Sequence, residues 1–67
     1  MKEIILKALK ARYEGDVAAA KANVEVYLSQ AVGIGEHADI ISAVDSQVCL
    51  IAEAQEKLFF IEESLKS

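Results

Sequence analysis

Two heptad-spaced apolar stripes lie on either side of a single Gly33-Ile34-Gly35 break, and together they constrain the fold more than any other feature. After the break, Ile41, Val44, Val48, Ile51, Gln55, Leu58, Glu62 and Leu65 alternate steps of three and four. Before it, Leu6, Leu9, Tyr13, Val17, Ala20, Val24, Tyr27 and Ala31 follow nearly the same rhythm. Steps of this kind place side chains on one narrow face of an α-helix. The spacing predicts an all-α chain of two long helices, one over about 2–30 and one over about 38–65. The loop 31–37 holds two of the three glycines, where positive φ and helix C-caps are common. So short a connection makes the helices antiparallel neighbours, and residues facing each other then have numbers summing to about 68. This pairs Leu9 with Leu58, Val17 with Ile51, Ala20 with Val48 and Val24 with Val44.

A single 67-residue hairpin has little means of holding itself together. Ordering each residue costs about 1.5 kcal/mol, and two helices side by side share one line of contact. Chains of this size commonly rely on disulfides, a metal or a partner subunit. Cys49 is the only cysteine, so an internal disulfide is closed off, and no cysteine–histidine cluster invites a structural metal. Self-association remains. Apolar residues make up 54% of the chain. Eleven of them are alanine, which favours helix more than it adds burial. Even so, Ile5, Val26, Leu28, Ile40, Cys49, Phe59 and Ile61 fall beside the seams. So wide a stripe suits a helix with two or three neighbours. The expected assembly is a homodimer or higher, with the hairpin pairing into a four-helix bundle. Ile5, Val26, Cys49, Phe59, Phe60 and Ile61 are its expected oligomer interface. Phe59 flanks the seam and Phe60 turns about 100° away, which makes it a second interface or a docking patch for another protein.

Charge supports the folded-back arrangement. Residues 1–30 carry five basic and four acidic groups, and residues 31–67 carry two basic and seven acidic. Lys2, Lys7 and Lys10 have the wrong sign for a helix N-terminus. In the hairpin they come beside Glu56, Glu62 and Glu63, with Arg12 also near Glu56. Exposed pairs of this kind contribute a few tenths of a kcal/mol each, so they orient the helices more than they stabilise them. Tyr13 opposite Gln55 is expected to fix register, as buried polar layers do in coiled coils. Gly15 interrupts the first helix at about 1 kcal/mol relative to alanine, which suggests a close crossing or a mild bend.

Few residues invite chemistry. Glu36, His37 and Asp39 are metal-ligating types, and a histidine beside a carboxylate can act as a base. The same residues describe a helix start, with His37 just outside the helix and carboxylates at its positive end. A divalent-metal site would need two such clusters brought together in an oligomer. Gly33-Ile34-Gly35 lacks the lysine and hydroxyl of a phosphate-binding loop and follows a helix rather than a strand. Cys49 has no cation or helix N-terminus nearby to activate it, so it is expected to be a small core or interface residue. The net charge of −4 argues against nucleic acid, which needs clustered lysine and arginine. No apolar run is long enough to cross a membrane, and residues 1–7 are too short for a secretory signal. One free cysteine points to a reducing cytoplasm. No cofactor is called for, and the reading is of a non-enzymatic protein.

Tyr13-Glu14-Gly15, Val32-Gly33-Ile34-Gly35-Glu36-His37, Asp39-Ile40 and Glu53-Ala54-Gln55-Glu56-Lys57-Leu58 resemble small uncharacterised proteins of tailed bacteriophages and of environmental, phage-like sequences. The likeness spans most of the chain, with the Gly-Ile-Gly-Glu-His segment its most specific part. In those relatives a proline is expected where Ala38 stands, which suits the first position of a helix after His37. The resemblance implies a phage accessory protein in an infected bacterial cytoplasm, with a host or virion protein as a second possible partner. It implies no mechanism and no functional residues.

Overall fold

A computed structural model describes the backbone of residues 1–31 and 37–66 and the side chains of residues 1–30 and 39–66. It contains two helices, α1 (Lys2–Ala31) and α2 (His37–Lys66), packed against each other. Thirty residues at 1.5 Å each make rods of about 45 Å, and the molecule measures 51 × 14 × 12 Å. No proline interrupts either helix. His37 is the first residue of α2 rather than lying just outside it, and Gly33, Ile34, Gly35 and Glu36 lie outside the described residues.

The α1 seam matches the sequence pattern. Leu6, Leu9, Tyr13, Val17, Val24 and Tyr27 are all partly buried, and Ala20 is fully so at 3% exposure. In α2 the seam is rotated by one residue at every second position. Val44, Ile51, Leu58 and Leu65 face α1 as expected. Between them the structure turns inward Ile40, Gln47, Ala54 and Ile61, while Ile41, Val48, Gln55 and Glu62 face out. The reason is electrostatic. The expected face would have carried Glu62 into the contact line, and burying a carboxylate costs more than exposing a valine. Turned outward, Glu62 reaches Lys10 at 3.8 Å across the rim.

The register shifts with it. Asn23 bonds Gln47, and Lys57 lies over Tyr13, so facing residues have numbers summing to about 70 rather than 68. Leu6 then stands level with Leu65, Leu9 with Ile61, Val17 with Ala54 and Ala20 with Ile51. Small residues occupy the middle of the seam, where they let the helices approach closely.

The resulting core is thin. Among the described residues only Ala20, Ala54 and Ile61 are buried, and no large side chain is fully enclosed. Ile61 therefore belongs to the hairpin's own seam, at 5% exposure, and is removed from the expected oligomer interface. Gly15 is not a close crossing point either, because a Cβ added there would meet nothing within 4 Å.

Candidate interaction surface

A helix 30 residues long with one narrow contact line leaves most of its circumference to solvent. In this hairpin much of that circumference is apolar. Ile4, Ile41, Phe59 and Phe60 are each about two-thirds exposed, and Ile5, Val26, Leu28, Val48 and Leu50 about half. Cys49 is a free, exposed thiol.

These residues do not form one patch. On α2, Ile41, Val48, Ala52 and Phe59 are separated by seven, four and seven residues. Two, three and five helical turns bring such positions to the same side. All four are exposed. They form a second heptad stripe about a quarter-turn from the seam. At the loop end this stripe joins Leu28 of α1 in a groove of about 340 Å³, lined by Leu28, Ile40, Ile41, Val44, Asp45 and Val48. At the other end Phe59 borders a more polar hollow with Lys10, Glu62, Glu63 and Lys66.

The opposite side of the hairpin carries a groove of about 460 Å³, lined by Leu9, Tyr13, Glu53, Glu56, Lys57, Phe60 and Ile61. Next to it, Tyr13, Asp16, Asn23, Gln47, Leu50, Glu53 and Lys57 frame a further hollow of about 310 Å³. Lys57 is the hub of this side. Its Nζ sits 3.0 Å from Glu53 Oε1 and 5.3 Å from the Tyr13 ring centre. The hydrogen bond and charge of Glu53, with smaller contributions from Tyr13 and Asp16, hold the Lys57 ammonium above the ordinary lysine pKa. Gln55, expected opposite Tyr13, is exposed. The polar tie across the seam is Asn23 to Gln47 instead, at 3.1 Å.

Of the residues expected at an oligomer interface, Ile5, Val26, Cys49, Phe59 and Phe60 are exposed in the single chain. Phe59 lies on the α2 stripe and Phe60 in the groove behind it. Spacing places Ile5 and Val26 away from that stripe, and Cys49 at its margin. Ile41 and Val48 were missed because the sequence pattern assigns them to the seam. Their separation of seven, continued eleven residues on to Phe59, is the signal that identifies them.

Chemical sites are sparse in the described region. No group of three or more histidine, cysteine, aspartate or glutamate side chains gathers among the described residues. The expected metal cluster lies largely outside them. Glu36 is not described, His37 is described only by its backbone, and Asp39 is exposed in the first turn of α2. Among the described residues no helix is long and apolar enough to cross a membrane.

No protein family, curated protein or solved structure matches this chain.

Proposed function

We propose that this chain is a non-enzymatic structural or protein-interaction module whose working surface is the outer face of its helices, engaged first by another copy of itself. The observation that supports this most is the exposure of Ile41, Val48 and Phe59 along one side of α2, beside a core with three buried residues among those described. Exposed apolar side chains gathered on one helix face favour association, which removes their surface from water at about 25 cal/mol per Å². A hairpin pairing in this way becomes a four-helix bundle, the common solution for two-helix units. The likeness to small tailed-phage proteins adds a setting, that of an accessory protein in an infected bacterial cytoplasm. A host or virion protein is then a candidate for the faces that self-association leaves open.

Sedimentation equilibrium across a concentration series tests the reading. The expected species is a multiple of the 7.3 kDa chain, with folded monomer appearing only on dilution. A helical monomer persisting at hundreds of micromolar would overturn self-association. Recovery of nothing but the chain itself in repeated pull-downs from infected cells would overturn the second-partner extension.

A further inference from the structure

We infer that the second copy docks along α2 with its own α2 antiparallel, about a two-fold axis passing near residue 50. This rests on the self-association proposed above and adds the face, the direction and the residue pairs.

The outer stripe of α2 supplies the pattern. Ile41, Asp45, Val48, Ala52, Gln55 and Phe59 alternate steps of four and three, and all are exposed or partly so on the side turned from the seam. A contact made by the same surface on both copies is isologous, so each residue meets the counterpart reflected through the axis. Reflection through residue 50 sets Ile41 against Phe59, Val48 against Ala52 and Asp45 against Gln55. Apolar meets apolar in each of the outer and inner layers, with a bulky ring against a branched chain and valine against alanine. The one carboxylate meets an amide that can donate to it.

The parallel alternative is disfavoured at the Asp45 layer. It stacks Asp45 on Asp45, and like charges opposed across an interface are destabilising. Residues 46–52 carry no charge. Docking about residue 50 lays this uncharged segment on its counterpart at the axis. The 18 residues from Ile41 to Phe59 span about 27 Å, the length of a substantial helix–helix contact, and Leu28 extends it at each end.

The test uses single variants and their mixture, read by sedimentation equilibrium with helicity followed by circular dichroism. Val48→Lys and Ala52→Glu should each raise the dimer dissociation constant at least tenfold. Mixed in equal amounts, the two should associate again to within about threefold of wild type. In the mixed dimer the introduced lysine of one copy meets the introduced glutamate of the other, while the wild-type valine–alanine pair remains on the far side of the axis. The mixture also covers variants that lose helix alone, since rescue then restores helicity. Wild-type association in both single variants would overturn the docking face, with self-association itself intact. Rescue of Val48→Lys by Val48→Glu but not by Ala52→Glu would overturn the antiparallel direction. A mixture that fails to associate would overturn the residue pairing. Monomeric wild-type protein would instead defeat the underlying reading.

Discussion

The side-chain amide of Asn23 donates to the Gln47 side-chain carbonyl at 3.1 Å, joining two helices across 24 positions of sequence. Gln47 is the one polar residue in the middle of the α2 seam, and this bond gives it a partner where an unpaired amide would weaken the contact. The bond is solvent-exposed, so its share of stability is small. A double-mutant cycle with Asn23→Ala and Gln47→Ala should yield a coupling of about 0.5 kcal/mol. Additive single effects would show that the pair does not hold the register.

Gly15 should be improvable. It lies within α1, and a methyl group there would meet nothing within 4 Å. Gly15→Ala is expected to stabilise the chain by about 1 kcal/mol through helix propensity and a less flexible unfolded state. Thermal unfolding at fixed concentration reads this as a rise of several degrees. A fall would mean that a second chain packs against the Gly15 face.

Ile61 and Phe60 are adjacent yet should behave oppositely. Ile61 is 5% exposed and Phe60 68%. Ile61→Ala should cost about 2–4 kcal/mol by opening the seam. Phe60→Ala should change stability by less than about 0.5 kcal/mol, because the proposed dimer uses Phe59. Equal losses at the two positions would contradict the rotated α2 seam.

Lys57 offers a local electrostatic check. Its ammonium is held above the ordinary value of 10.5 chiefly by the hydrogen bond and charge of Glu53. A raised folded pKa stabilises the fold fully below that ordinary value, and the contribution is lost as pH climbs through the higher folded one. Titration of the Lys57 side chain by NMR should give a midpoint above 10.5, and Glu53→Gln should lower it. An unchanged midpoint in that variant would remove Glu53 as the cause. Because the pair is exposed, salt should weaken it.

The proposed function also makes a statement about metal. Calorimetric titration of Zn²⁺ or Mn²⁺ should show no binding at about 100 µM metal, since three residues spread over Glu36 to Asp39 do not make a closed ligand set. Saturable binding lost in His37→Ala would favour the alternative of a metal site shared between two loops.

Much of the hairpin was legible because helical periodicity is a strong signal over 30 residues. Both helices, their direction and the α1 seam from Leu6 to Tyr27 follow from it, while the last expected seam side chain, Ala31, lies outside the described ones. The α2 seam was harder because two overlapping heptads share Val44, Ile51, Leu58 and Leu65. Apolarity alone favours Val48 over Gln47, and the choice turns on keeping Glu62 out of the contact line, which depends on both helices together. Tyr13 shows the same limit. Its polar neighbour is Lys57 rather than Gln55, because a shift of two in register moves every facing pair. The candidate surface was half visible. Phe59 and Phe60 stand out in any reading, whereas Ile41 and Val48 emerge only once the seam is known to have turned away from them.

The most direct test of the account is a distance between two copies. Asp39→Cys in a Cys49→Ser background places a spin label 11 residues from the proposed axis, on an exposed position of α2. Antiparallel docking about residue 50 puts the two backbones about 33 Å apart along the helix direction. Pulsed dipolar spectroscopy should therefore give a single distribution centred in that region. A short distance of about 10 Å, as parallel helices in register would produce, or the absence of any dipolar signal at concentrations where the chain is helical, would contradict it.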